Sequence, residues 1–203
     1  RDREPMEHAK AAAAGTFDPG LLRRMSWRVR DVLRPPPPRP EADVIAAFNF
    51  AVCELHERAD LLRYLKNSHT RLNRGGIFAA DLYFGPGAWR RGVEKKKVRT
   101  AHGIINYEWE QRSADPLTGR VENVIHFVLP RGKRMRNAFI YDWRLWSVAE
   151  LRDAMTEAGF RSTEVHNSYG GAIDENGDPV PLAVNDGREL NDENNVVYVV
   201  ARR

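Results

Sequence analysis

Apolar positions follow three different periods along this chain. Residues 43–52, DVIAAFNFAV, begin as a near-continuous apolar run, and GIFAADLYF at 76–84 is another, bounded by glycines. Between them, from His56 to Asn73, Leu61, Leu62, Leu65 and Leu72 recur at helical spacing, and Gly75 sits where a left-handed cap would end the helix. Strand, helix and strand with unbroken apolar strands predict a parallel sheet covered on both faces. Farther on, GIINYEWEQRS, RVENVIHFVLP and RMRNAFIYDWRLW alternate strictly and are joined by the turns ADPLTG and RGK, the signature of an antiparallel meander. The alternation puts Tyr107 and Trp109, Ile125 and Phe127, and Phe139, Tyr141 and Trp143 on one side. Glu108, Glu110, Glu122, Arg134, Arg136, Asp142 and Arg144 fall on the other, where they can pair across strands.

The ends of the chain are simpler. A helix is predicted from about Glu4 to Ala14, ending at Gly15, with FDPG as a turn after it. MSWRVRDVL alternates and reads as a short strand ending near Asp31, and RPPPPRP after it is a stiff loop. Ser147 and Glu150 have capping-box spacing ahead of Val148, Leu151, Met155 and Ala158, which predicts a helix ending at Gly159. RSTEVHNSY reads as a strand, the Gly-, Asn- and Asp-rich stretch from about 170 to 194 as a loop, and NVVYVVA as a final buried strand. The chain opens on Arg and runs straight into a helical pattern, which is expected of a protein whose N-terminus is missing.

Composition narrows the class. With 203 residues, 42% of them hydrophobic and 30% charged, the chain is long enough for a sizeable core. No apolar run approaches the roughly 20 residues of a membrane span. The single Cys53 excludes an internal disulfide and a cysteine-based zinc site, and fits a reducing, cytoplasmic setting. The six histidines show no metal-ligand spacing, so no metal is expected. A net charge of +4 and a pI near 9.4 invite a nucleic-acid partner, but the basic residues are interleaved with acids except in RRGVEKKKVR at 90–99, which reads as a solvated loop.

The order of these segments resembles a class I, Rossmann-like S-adenosylmethionine-dependent methyltransferase of the bacterial small-molecule type. DREPMEHAKA is similar to the helix after that family's acidic second strand, and WRVRDVL to its third strand with a terminal Asp. DVIAAFNFAVCELHERADLLRYLKNSHTRLNRGGIFAADLY is similar to strand four, its helix, the glycine turn and strand five; YDWRLWSVAELRDAMTEAGF is similar to the segment before strand six. The resemblance implies an α/β fold with an incomplete, mostly parallel sheet whose last strand is antiparallel, and with an inserted β-meander. It divides the chain into a partial core at 1–95, the insertion at 96–144 and the rest of the core at 145–203. The family's first strand and Gly-rich loop have no counterpart, and no G-x-G-x-G occurs in the sequence. The acid that holds the ribose would precede Arg1, which makes Asp2 a poor stand-in. A fragment lacking its first βαβ unit is the expectation.

The resemblance also implies a cofactor, S-adenosyl-L-methionine, and a small-molecule methyl acceptor. Ligands of open α/β sheets bind beyond the carboxyl ends of the strands. Asn49, with Phe48, Phe50 and Ala51, is therefore expected to line the methionine and sulfonium end, against the alternative that Asn49 only satisfies a loop carbonyl. The resemblance gives Asp31 the adenine amine, with Val32 beside the ring; an exposed strand-end acid is an equal reading. Asp81 either faces the acceptor, as an amine ligand or base, or caps a loop. Tyr83, Tyr107, Trp109, Tyr141 and Trp143 form either an acceptor lid or plain packing. Cys53 is expected to be a buried small hydrophobe and His126 a surface residue. Two other classes stay open: a nucleic-acid methyltransferase or RNA-binding relative, and a non-catalytic Rossmann-like interaction module. An oxidoreductase is disfavoured by the lack of a dinucleotide fingerprint.

Overall fold

The computed structural model describes residues 4–35, 39–167, 172–187, 190 and 193–203. Asp2 and parts of the proline loop and of the 170–194 loop lie outside them. The chain divides into two compact units, Arg1–Pro35 and Pro36–Arg203.

In the first unit, α1 (Glu4–Thr16) runs through Gly15 instead of stopping before it, and α2 (Pro19–Leu22) is capped by the Asp18 carboxylate, which accepts from the Gly20 and Leu21 amides at 2.7 and 3.0 Å. The strand expected at 25–33 does not form: no residue there belongs to a ladder among the described residues. Alternation makes a segment compatible with a sheet, but a strand exists only where another backbone pairs with it. Here Trp27, Val29 and Val32 remain 42%, 56% and 50% exposed. The chain instead folds into a turn in which the Asp31 side chain accepts from the Leu33 amide at 3.0 Å.

The second unit contains β1 (Ala42–Ala47), α3 (Arg58–Arg71), β2 (Leu72–Phe84), β3 (Gly92–Thr100), β4 (Gly103–Asp115), β5 (Arg120–Val128), β6 (Arg134–Arg144), α4 (Val148–Glu157), β7 (Ser162–Asn167), the short pair β8 (Ala172–Ile173) and β9 (Pro179–Val180), and β10 (Asn195–Arg202). Its first sheet has the order β1-β2-β10-β7. β1 and β2 are parallel, in register from Val44 opposite Ile77 to Ala47 opposite Ala80, and β10 runs antiparallel to both β2 and β7. With β1, β2 and β7 running one way and β10 the other, this is the incomplete sheet with an antiparallel last strand that the resemblance implies.

The core of this sheet follows from strand periodicity. Phe78, Ala80 and Leu82 of β2 alternate with Val197, Val199 and Ala201 of β10 against Leu61 and Leu65 of α3 and Leu151 and Met155 of α4, all fully buried. The capping box forms as expected, Ser147 accepting from the Glu150 amide and Glu150 from the Ser147 amide. Gly75 is not the cap of α3. The helix ends at Arg71, and Gly75, at φ +81°, lies inside β2 where Ala42 pairs with Leu72 but Val44 already pairs with Ile77. The neighbouring Gly76 passes so close to β1 that a Cβ there would sit 2.9 Å from the Asp43 carbonyl.

Coverage of both faces is also not what the described residues show. α3 and α4 pack on one face, while Val44 and Phe48 on β1 and its continuation stay 60% and 47% exposed. The second sheet has the order β3-β4-β5-β6. Its first strand occupies the basic stretch read as a loop. A lysine-rich strand exposed along its whole length lacks the alternation that betrays a half-buried one, and lysines are what protect a sheet edge from further pairing.

Candidate functional site

The end of β1 answers what an amide does between two aromatics. Asn49 and Phe50 both adopt left-handed backbone, at φ 59° and 58°. Such a conformation costs about 1–3 kcal/mol for each non-glycine residue, and asparagine tolerates it best. The strained pair is held by one carboxylate: Asp81 accepts from the Asn49 amide at 3.0 Å and from the Phe50 amide at 2.8 Å. Register explains why Asp81 does this. The β1–β2 ladder ends at Ala47 opposite Ala80, so Asp81 is the first residue of β2 beyond the point where β1 peels away. Burial pushes its carboxyl above the ordinary aspartate value, against the Phe50 and Asn49 amides, which pull it down.

The two aromatics diverge from this turn. Phe48 packs on Tyr198, ring centroids 5.4 Å apart. Phe50 packs edge-on against Tyr83 and Trp143, at 5.1 and 5.5 Å. Trp143 starts a run of rings along the meander. It lies 4.7 Å from Tyr141, which stacks with Trp109 at 6.0 Å and with Phe139 at 6.5 Å. Phe139 meets Phe127, and Phe127 meets Tyr107. The expected acceptor residues Tyr83, Trp109, Tyr141 and Trp143 thus converge beside the Asn49–Phe50 turn, and Tyr107 lies at the far end of the run.

The meander is fastened to this turn at its base. After Ala51 the chain makes a 3-10 turn, Ala51–Glu54, and continues through Leu55 and His56. The Trp143 indole donates to the Glu54 carboxylate at 2.9 Å and the Trp146 indole to the Leu55 carbonyl at 3.1 Å. Arg144 donates to the His56 carbonyl at 2.9 Å, and His56 Nε2 lies 2.6 Å from the Asp142 carbonyl. A cleft of about 290 Å³ opens beside this base, lined by Tyr83, Trp89, Leu117, Arg144, Trp146 and Glu150 among others.

Buried groups around the turn are tuned towards their neutral forms. Burial pushes the Cys53 thiol up to about 12, so it stays protonated at neutral pH and behaves as a small apolar side chain. Burial also takes the Tyr83 phenol up to about 12, and its oxygen accepts from Asn123 Nδ2 at 3.2 Å. Asn123 is fully buried, and its Oδ1 has no hydrogen-bond partner among the described residues. His126 belongs to the charged side. Its Nδ1 accepts from the Asn137 amide at 2.9 Å, so Nε2 carries the proton that goes to Glu110, also at 2.9 Å.

Asp31 and Val32 belong to the first unit, in the turn described above rather than at a strand end. Sequence reading missed Glu54 and Asn123. Nothing local marks them: Glu54 meets Trp143 across 89 positions and Asn123 meets Tyr83 across 40.

No family model matches the chain, and no curated protein matches it significantly. Solved structures do. An S-adenosylmethionine-dependent methyltransferase from Clostridium acetobutylicum is similar at 14% identity over 99% of this chain and 72% of its own, with a TM-score of 0.63. The CcbJ methyltransferase from Streptomyces caelestis is similar at 16% identity over 86% of this chain and 62% of its own, TM-score 0.57. The S-adenosylmethionine-bound CalS10, an amino pentose methyltransferase from Micromonospora echinaspora, is similar at 15% identity over 86% of this chain and 63% of its own, TM-score 0.57. The chain therefore spans less than two thirds of the length of the last two. At these identities the likeness shows the fold: part of a Rossmann-like methyltransferase sheet, with an antiparallel meander set into it.

Proposed function

We propose that this chain takes part in S-adenosyl-L-methionine-dependent transfer of a methyl group to a small molecule. The observation that carries the reading is the strained Asn49–Phe50 turn at the carboxyl end of parallel strand β1, pinned by Asp81. Strained backbone persists only where its surroundings hold it, and ligand sites of α/β sheets lie at such strand ends. The residues suit the cofactor's methionine and sulfonium end. Asn49 is exposed and presents an amide with both donor and acceptor, and the neighbouring rings attract a cation.

In this reading Phe48, Asn49, Phe50 and Ala51 line that end of the cofactor. When bound, the cofactor supplies a methyl group on a cationic sulfur, open to in-line displacement. The chain's own residues bind, orient and exclude water. Tyr83, Trp109, Tyr141 and Trp143, with Tyr107 farther out, wall the acceptor. Asp81, with both oxygens already accepting amides, serves the acceptor by shaping the turn. The outer edge of β1 has no strand partner among the described residues.

Calorimetric titration with S-adenosyl-L-methionine tests this. Binding that Asn49→Ala weakens at least about fivefold, with an unchanged circular dichroism spectrum, is the expected result. Equal binding by the variant removes Asn49 from the site. No binding of S-adenosyl-L-methionine by the natural protein overturns the reading.

A further inference from the structure

Glu54 differs from most glutamates of this protein in what it faces. Glu41, Glu108, Glu110, Glu157 and Glu193 each meet an arginine. Glu54 forms no ion pair among the described residues; its observed partner is the neutral Trp143 indole. An indole N–H is donor-only and uncharged, so it fixes the carboxylate in place without neutralising it. The same indole touches Phe50, Tyr83, Trp109 and Tyr141, with ring centroids between 4.7 and 6.1 Å away. An oriented, exposed carboxylate thus stands at the edge of a ring cluster, four residues after Phe50.

We propose that Glu54, held by the buried Trp143 indole and beside the ring of Tyr141, is the recognition subsite for an ammonium group on the methyl acceptor, and that the acceptor is an amine with an apolar arm. The identification of the ligand as an acceptor rests on the methyltransferase reading above; the cation subsite itself does not. Two attractions converge there. A carboxylate binds an ammonium through a charge-assisted hydrogen bond, and electron-rich ring faces attract the same charge. Glu54 already acts on its surroundings in this sense: after burial, its charge is the second cause that pushes the Tyr141 phenol up. The arm has a continuous path, because Phe139 lies nearly parallel to Tyr141, at 9°, and is 53% exposed. Glu54 holds and orients; no proton or methyl group moves at it.

The rival account is that Glu54 only stitches the meander to the turn after β1. Glu54→Gln separates the two, because its amide oxygen still accepts from the indole while the charge is gone. The experiment is an NMR titration of the 203-residue chain, following the Trp143 indole N–H, with 2-phenylethylammonium and with neutral 2-phenylethanol as probes. The expected result is saturable movement of that resonance by the amine, about tenfold weaker binding of the alcohol, and about tenfold weaker binding of the amine to Glu54→Gln. Equal binding of the two probes, or an unaltered amine affinity in Glu54→Gln, overturns the subsite. A parallel titration with S-adenosyl-L-methionine separates the sources of the cation. If Glu54→Gln weakens the cofactor and not the amine, Glu54 belongs to the cofactor and the proposal falls. If the protein binds the amine through Glu54 but never the cofactor, the methyltransferase reading falls and the cation subsite stands.

Discussion

The two four-stranded sheets of the second unit are stabilised by different means. In the first, Phe78, Ala80 and Leu82 of β2 and Val197, Val199 and Ala201 of β10 have 0% exposure under α3 and α4. In the meander, β3 has no buried residue, one side carries a row of rings buried at Trp143 and partly exposed at Trp109, Tyr141 and Phe139, and the other carries a ladder of charges. On that side Arg112 bridges Glu110 and Glu122 at 3.0 and 2.9 Å, Lys95 and Arg134 share Glu108 at 3.4 Å, and Arg120 meets Asp142 at 2.5 Å. The first sheet gains its stability from buried apolar area; the second combines a smaller buried set, Val121, Val124, Ile125 and Trp143, with cross-strand pairs that are each small. A packed sheet holds a strained turn well, and a sheet with an uncovered aromatic side has surface left for a ligand.

Core truncation breaks this contrast most directly. Phe78→Ala is expected to cost about 3–5 kcal/mol, and Phe139→Ala, half exposed in the meander, less than about 1 kcal/mol. Denaturant unfolding monitored by tryptophan fluorescence reads both. Comparable losses would mean that the meander has a packed core of its own.

Acid sharpens the contrast, because the two regions respond to it with opposite sign. Burial raises the folded Asp81 carboxyl above its unfolded value, so the folded state binds that proton more tightly. Its contribution to stability is present below the ordinary aspartate range and is lost as pH rises through the raised value. Glu110 is lowered by hydrogen bonds from Arg112 and His126, and Asp115 by the Thr118 hydroxyl and the Leu117 amide. Their contributions are present above the ordinary carboxylate range and are lost as pH falls through the lowered values. The stability of the natural protein minus that of Asp81→Asn should therefore decrease as pH rises from about 3 to about 7. Hydrogen exchange over the same range should show the meander losing protection on the acid side.

The smallest expected effect has the reverse sign. Asn49→Gly relieves one left-handed residue and is expected to raise stability by up to about 1 kcal/mol, while cofactor binding weakens because the amide is gone. A variant that is less stable than the natural protein would show that the Asn49 side chain holds the turn instead of serving a ligand.

Much of the meander was legible because it keeps a period of two on either side of two irregularities, between Gln111 and Ser113 and between Ile125 and Phe127. Tyr107 and Trp109 share one side and Glu108 and Glu110 the other, as the alternation predicts, and the turns fall where Gly119 and Gly132 permit them. The exception is β3, where Lys95, Lys96 and Lys97 stand in a row and conceal a strand that only its pairing with β4 reveals. At 25–33 the error is opposite: the alternation of Trp27, Val29 and Val32 promises a strand, and no ladder forms. Gly75 misled for a related reason, since a left-handed glycine serves a bulge within a strand as well as the end of a helix. Of the candidate site, Phe48, Asn49 and Phe50 could be placed at a strand end by reading an apolar run to its polar stop, whereas Asp81, read the same way as the end of its strand, lies inside β2, which continues to Phe84.

Local order along the chain, its periods and its punctuation, was enough to determine the meander strands β4, β5 and β6, the apolar runs of β1, β2 and β10, and that α4 begins at a capping box. Those properties depend on residues a few positions apart. Tertiary structure alone decided that Asp81 holds the two amides after β1, that Glu54 receives an indole from Trp143, and that Asn123 is buried against Tyr83. A carboxylate has no preferred partner until the fold has brought a donor within about 3 Å of it, and that donor can come from anywhere in the chain.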